Sequence, residues 1–160
     1  MKAFLAILLI AGAVQVAPVL ASSSSASPLL GSWAVDTSRL PVPAAARPKG
    51  VTITFSDADE GKWATRVERD DANGAKVHAE GVAQLDGTPV PVTGNLEADL
   101  SATSMPAPNV LIMQLGKGGF PASTRIYTVA ADRKSMTETV AYFGKDGRPM
   151  LRTNYFTRVR

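Results

Sequence analysis

From Val51 onward, apolar and polar positions alternate along the chain with a period of two. Val51, Ile53 and Phe55 fall on one side of the alternation, and the threonines between them fall on the other. This period places successive side chains on opposite faces of a strand, so it predicts a strand with one buried face. Weaker or stronger versions of the pattern predict further strands at 63–68, 76–85, 96–102, 110–115, 123–130, 135–143 and 150–159.

Turn signals separate these runs at regular intervals. Asn73-Gly74 favours a tight hairpin turn, and Asp86-Gly87 marks another turn. Gly81 marks a candidate bulge, and the two prolines of 88–92 restrict that piece to an edge or irregular strand. No segment shows a sustained helical period. The pattern predicts an all-β fold, a single antiparallel up-and-down β-barrel of about eight to ten strands.

The first residues are typical of an export signal. Met1-Lys2 precedes an almost continuous apolar stretch, and Val19-Leu20-Ala21 presents small residues before a serine tract. This order predicts a cleavable signal peptide at 1–21 and a periplasmic or secreted protein. Residues 22–29 are predicted to be a flexible Ser-rich tether, and residues 30–160 the barrel domain.

The segment 41–48 differs from the strands around it. Three prolines, Pro41, Pro43 and Pro48, argue against a helix despite the alanines between them. An extended segment that crosses the molecule is predicted here.

Composition removes several function classes. The chain has no cysteine and one histidine, which leaves no disulfide, no thiol chemistry and a poor ligand set for a transition metal. Basic residues are scattered among acids, and a net charge of +3 gives no support for nucleic-acid binding. We predict no metal and no cofactor.

No catalytic constellation is recognisable, so enzyme activity is not predicted. The alternative is a hydrolase or isomerase that uses His78 with Glu80, which lie two positions apart on one strand. Lys76 shares that side of the alternation, and this favours a solvated strand face.

An apolar stripe gives the candidate binding residues. They are inward-facing positions of the predicted strands: Phe55, Val67, Leu111, Met113, Ile126, Val140, Tyr142 and Phe156. These residues either line a cavity for a small hydrophobic molecule or fill the barrel completely, and the filled interior is slightly favoured. Three aromatic residues of the last strands, Tyr142, Phe143 and Tyr155, are also compatible with a surface that binds a partner.

Gly31-Ser32-Trp33 on the first predicted strand, with Arg158 and Arg160 on the last, resembles the signature of lipocalins and other calycins. The resemblance implies that Trp33 packs across one end of a barrel beneath one of these arginines. Both lie on the same face of the strand, so alternation leaves the choice open. Over 30–160 the chain also resembles a family of small exported bacterial proteins without known activity. The matching segments are 31–33, 48–52, 85–87, 91–94, 132–136 and 154–156.

Two functions follow as expectations. The first is an exported calycin-like barrel, monomeric and without a membrane span after signal cleavage, that binds a small hydrophobic ligand. The alternative is a protein-interaction module of the cell envelope, such as an inhibitor or an assembly factor, for which the proline-rich segment 41–48 is the candidate contact.

Overall fold

The computed structural model describes residues 26–94 and 97–159. Within these ranges the chain forms ten strands: β1 Gly31–Val35, β2 Gly50–Asp57, β3 Lys62–Asp70, β4 Lys76–Gln84, β5 Asp86–Pro91, β6 Leu100–Ala107, β7 Val110–Lys117, β8 Phe120–Val129, β9 Ser135–Phe143 and β10 Pro149–Arg158. Two short 3-10 helices, Thr37–Arg39 and Ala44–Ala46, lie between β1 and β2. Over these residues no helix is long and apolar enough to cross a membrane.

The strands form one antiparallel sheet in the order β4-β3-β2-β1-β10-β9-β8-β7-β6-β5. Every pair except β1 with β10 joins strands that follow one another in the chain. In that remaining pair Trp33 lies opposite Arg158, so the first and last strands meet. The predicted all-β, up-and-down barrel is confirmed.

The barrel is nearly closed between its two edge strands. The edges are linked just after β5, where Thr93 forms an antiparallel bridge with Glu80 of β4. The two N···O distances of this bridge are 3.1 and 3.0 Å. Pro89 and Pro91 lack the N–H groups that a longer ladder would need.

Two glycines allow the edges to approach. Gly81 pairs regularly with Thr65, so the predicted bulge is wrong. A Cβ atom on Gly81 would lie 3.4 Å from the carbonyl oxygen of Pro91. Gly94 has φ +70°, and a Cβ atom there would lie 2.2 Å from the carbonyl oxygen of His78. Glycine is therefore needed at position 94, where the segment after β5 rests on β4.

The two ends of the barrel differ. We call the end formed by 36–49, 71–75, 92–94, 97–99, 118–119 and 144–148 the open end, and the end that carries Gly31 and Arg158 the closed end. At the closed end Trp33 is completely buried, and its indole N–H donates to the carbonyl oxygen of Leu29 at 2.8 Å.

Leu29 is also completely buried, so the predicted tether is too long. The signal peptide 1–21, residues 22–25 and Arg160 lie outside the described residues.

Two further segments depart from prediction. The crossing segment 41–48 is not wholly extended, because Ala44–Ala46 form a 3-10 turn after Pro43. Strand β6 begins at Leu100 and continues through Pro106. A register shift between Ser104 and Ala107 accommodates the proline.

Candidate ligand cavity

The open half of the barrel encloses a cavity of about 450 Å³. The favoured expectation of a completely filled interior is therefore wrong. The cavity begins above a packed aromatic layer and ends beneath the crossing segment at the open end.

Large side chains fill the closed half. Phe55 and Tyr127 pack edge to face with ring centres 5.4 Å apart, and Phe156 packs on Tyr127 at 6.3 Å. Trp63 adds a fourth ring 6.5 Å from Phe55. Together with Trp33 these rings belong to the packed core of the barrel.

Protein side chains do not fill the open half because those that point inward from β4 and β6 are short. In that half, β4 turns Ala79 and Gly81 toward the interior, and β6 turns Ser101 and Thr103 toward it. None of these side chains reaches the barrel axis. Small residues on these two strands thus create the cavity.

A buried polar cluster forms one wall. The carboxylate of Glu138, 2% exposed, accepts from Arg125 Nη1 at 2.8 Å and from Asn154 Nδ2 at 2.6 Å. Arg125 also forms an ion pair with Glu97. Adjacent strands place these groups together, since Glu138 lies opposite Asn154 on β10 and opposite Tyr127 on β8. Both oxygens of the buried carboxylate are therefore satisfied.

The cluster fixes the protonation of its neighbours. Burial, reinforced by the charge of Glu138, raises the pKa of Tyr127 well above its ordinary value. Burial alone would lower the pKa of Arg125, but Tyr127 in its ionised form and the charges of Glu138 and Glu97 outweigh it and raise that pKa. The wall therefore presents a neutral phenol and a permanent cation.

Three buried polar atoms of this wall have no hydrogen-bond partner in the part of the chain that the structure describes. They are the Nε atoms of Arg125 and Arg152 and the Oδ1 atom of Asn154. The Arg152 guanidinium carbon lies 5.8 Å from the centre of the Tyr142 ring. Buried polar groups normally find a partner, so these atoms offer two donors and one acceptor to a molecule in the cavity.

The crossing segment covers the mouth of the cavity. Leu40, Pro41, Val42 and Pro48 contribute to the lining. The segment 41–48, predicted as a candidate partner contact, therefore also shapes the entrance.

The predicted apolar stripe is divided by the structure. Val67, Met113 and Phe156 line the cavity. Phe55, Leu111 and Val140 are at most 2% exposed and belong to the packed interior.

The two remaining stripe residues lie elsewhere. Tyr142 is half-buried near Arg152 at the open end. Ile126 lies between Arg125 and Tyr127, which both face the cavity, so alternation turns it to the outer face of β8. The expectation that Ile126 lines a cavity is wrong, because hydrophobicity alone does not give the in/out phase of β8.

His78 and Glu80 are both exposed on β4 and border the cavity where β4 meets Thr93 and Gly94. Their partners on β3 are Glu68 and Arg66, which are also exposed. Over residues 26–94 and 97–159, no group of three or more histidine, cysteine, aspartate or glutamate side chains is placed to hold a metal ion.

Sequence reasoning missed the polar wall, although a signal for it exists. Glu138 stands at an inward position between Met136 and Val140, and Asn154 stands two before Phe156. A charged or amide residue in the apolar phase of a strand indicates a buried polar site.

The sequence matches no protein-family model and no curated protein. Its structure is similar to the fatty-acid-binding protein of Schistosoma mansoni in complex with arachidonic acid, with a TM-score of 0.55, 16% identity and coverage of 85% of this chain and 99% of that one. It is also similar to the wild-type fluorescent protein UnaG, with a TM-score of 0.55, 11% identity and coverage of 84% and 100%. A mutant of UnaG matches with a TM-score of 0.54, 13% identity and coverage of 83% and 97%. The chain has the ten-stranded, calycin-like barrel fold of these proteins.

Proposed function

We propose that this protein binds a small, mainly apolar molecule that carries a polar, hydrogen-bond-accepting end, and that it does so outside the cytoplasm. The observation that carries the proposal is the cavity of about 450 Å³ in the open half. Its size falls within the range of pockets that hold small ligands, and pockets of this kind combine an apolar lining with a few convergent polar groups.

The lining matches such a molecule in two parts. Ile53, Val67, Met113 and Phe156 supply apolar surface for the body of the ligand. The unpaired Nε donors of Arg125 on β8 and Arg152 on β10 lie beside this apolar surface and suit the polar end of the ligand.

The fold neighbours support the same ligand class. The Schistosoma mansoni protein, which has this fold, is in complex with arachidonic acid. That ligand is a long apolar chain that ends in a carboxylate.

The extracytoplasmic location is inferred from the sequence 1–21, with cleavage after Ala21. Mass spectrometry of the protein recovered from its native host tests it directly. A mature chain that begins at Ser22 supports the proposal, and an intact cytoplasmic chain that retains Met1-Lys2 contradicts it.

Two measurements test ligand binding. Protein purified without detergent is extracted with organic solvent, and the extract is analysed by mass spectrometry for a bound apolar molecule. Independently, the fluorescence of the neutral dye N-phenylnaphthylamine is titrated against the protein.

A matched pair of variants locates the site. Ala79→Phe places a ring in the cavity, and we expect dye affinity to fall at least about tenfold, because a ring displaces the space the dye needs. Ala64→Phe places the same ring on the outer face of β3 and should leave affinity unchanged. Equal dye affinity in Ala79→Phe and the parent, or a parent that binds no dye and yields no extractable molecule, overturns the proposal.

A further inference from the structure

Exposed apolar side chains are concentrated at the open end. Among the described residues, eight large hydrophobic side chains are exposed, and six of them lie at this end: Val42, Leu100, Phe120, Phe143, Met150 and Leu151. The other two, Val82 and Val159, lie apart from them on β4 and after β10. Single exposed apolar residues are ordinary, but a concentration at one end marks an interaction surface.

The most exposed members occupy neighbouring strands. Phe120 is 76% exposed on β8, Phe143 is 68% exposed on β9, and Leu151 is 75% exposed on β10. These strands are adjacent in the sheet, and Phe143 pairs with Pro149, two positions from Leu151. We call Phe120, Phe143, Met150 and Leu151 the apolar rim.

The rim is built on the β7–β8 and β9–β10 hairpins. Gly118 and Gly119 both have positive φ, which makes the tight turn that carries Phe120 at its end. Leu151 and Phe143 flank the β9–β10 turn. The backbone geometry of these two hairpins therefore points the exposed side chains outward.

Basic side chains accompany the rim. The two hairpin ends carry Lys117, Lys145 and Arg148 against one acid, Asp146, which lies 3.4 Å from Arg148. The nearby Asp99 carboxylate accepts a hydrogen bond from the backbone N–H of Gly118. With Asp99 and Asp146 counted against the three basic residues, the hairpin ends present apolar tips beside a net charge of +1.

We propose that the apolar rim docks on an anionic lipid bilayer, with Phe120, Phe143 and Leu151 inserted among the acyl chains and Lys117 and Lys145 at the headgroups. A bilayer accepts each projecting side chain separately, whereas a protein partner of ordinary size needs a broad complementary face. The lysines match the negative surface of anionic lipids. Docking in this orientation turns the cavity mouth toward the lipid. The docking proposal does not depend on which molecule the cavity binds.

The absence of cysteine makes a direct test simple. Phe120→Cys and, as control, Val82→Cys are each labelled with the environment-sensitive fluorophore NBD on the full chain. On vesicles of equal parts phosphatidylcholine and phosphatidylglycerol, we expect a blue shift and a gain in emission at position 120 and no change at 82. An N-terminal apolar stretch, where retained, is common to both proteins and does not produce this difference.

A second arm measures partition. The double variant Phe120→Ser/Leu151→Ser should partition into the same vesicles at least about tenfold less than the parent, while Val82→Ser should match the parent. Vesicles of phosphatidylcholine alone, or high salt, should weaken binding of the parent. Near-ultraviolet circular dichroism confirms that each variant is folded.

Three outcomes overturn the proposal: an unchanged label at position 120, a double variant that partitions like the parent, or a rim that instead mediates dimerisation in solution. The last appears as a concentration-dependent dimer, lost in the double variant, with no response to vesicles. Binding of N-phenylnaphthylamine in vesicle-free solution is measured on the same variants. Retained dye binding with no vesicle response rejects the docking surface alone, and vesicle docking without dye binding rejects the cavity function alone.

Discussion

The guanidinium carbon of Arg158 lies 4.0 Å from the centre of the Trp33 ring. The same guanidinium donates to the carbonyl oxygens of Leu30 and Arg133, each at 2.8 Å, and of Pro28. One side chain thus joins the segment before β1, the β8–β9 turn and the end of β10 over the buried indole. Gly31 makes this possible, because a Cβ atom there would lie 2.7 Å from Arg158 Nη1.

Replacing this guanidinium tests its role. We expect Arg158→Lys to lower the free energy of unfolding by about 2 kcal/mol, since an ammonium retains the charge but cannot span the three carbonyl groups. Urea unfolding followed by tryptophan fluorescence measures the change. Arg148→Lys, at a side chain 84% exposed, is the control and should be nearly neutral. Equal effects at the two positions would show that the carbonyl contacts contribute nothing.

Replacing the Trp33 indole, which lies beneath this guanidinium, should lower the free energy of unfolding more than replacing Arg158. Trp33 is fully buried, so Trp33→Ala should cost about 3–5 kcal/mol through lost burial and the cavity it leaves. Trp33→Phe should cost less, because it retains part of the apolar volume. Thermal unfolding by circular dichroism provides the comparison, and an unchanged melting temperature in Trp33→Ala would contradict closure of the barrel around this residue.

Alternation and turn residues are sufficient to predict the strands, because both act locally. The alternation of Val51, Ile53 and Phe55 and the Asn73-Gly74 turn each correspond to an observed element. Local signals could not choose between Arg158 and Arg160, since a period of two assigns both to one face. The choice depends on strand register, which places Arg158 opposite Trp33.

The cavity could not be predicted from local patterns, because it depends on how side-chain volumes from distant strands combine. Its volume results from short inward residues, such as Ala79 and Thr103, on strands far apart in the sequence. Hydrophobic pattern identifies which residues face inward but not whether their volumes add up to a filled core. For Ile126 even the predicted phase is wrong, since charged Arg125 occupies the inward position beside it.

The buried carboxylate provides a further test. Glu138→Gln should lower the free energy of unfolding by about 3 kcal/mol, because the amide has one acceptor oxygen for two buried donors and removes the negative charge that pairs with Arg125. Glu68→Gln removes the exposed partner of Arg66 and should cost less than about 1 kcal/mol. Chemical denaturation of both variants checks the difference. A cost for Glu138→Gln no larger than that of the control would show that the cluster is not stabilising.

The raised pKa of Tyr127 predicts how the free energy of unfolding changes at alkaline pH. Its folded-state pKa lies above the unfolded value of 10.0, so the folded state binds the phenolic proton more tightly. The resulting stabilisation is complete below pH 10 and is lost as the pH rises above it toward the folded pKa. Urea midpoints measured from neutral pH upward should therefore fall less steeply in Tyr127→Phe than in the parent. Tyr155→Phe, which removes a phenol from the outer face of β10, is the matched control for the loss of a tyrosine hydroxyl. Identical slopes in Tyr127→Phe and the parent would contradict the assignment.

Replacing Arg152 tests whether the cavity recognises the polar end of a ligand. Its buried Nε has no partner in the described chain, so we expect it to bond an acceptor on the ligand. Arg152→Met retains much of the side-chain volume and removes the donors and the charge. Affinity for the anionic dye anilinonaphthalene sulfonate should fall about tenfold, as expected from the loss of one charge-assisted hydrogen bond, while affinity for neutral N-phenylnaphthylamine should change little. Arg66→Met, on the exposed face of β3, controls for the loss of one positive charge. Equal losses for both dyes would mean that Arg152 only shapes the cavity, and no loss for either would place the polar end of the ligand elsewhere.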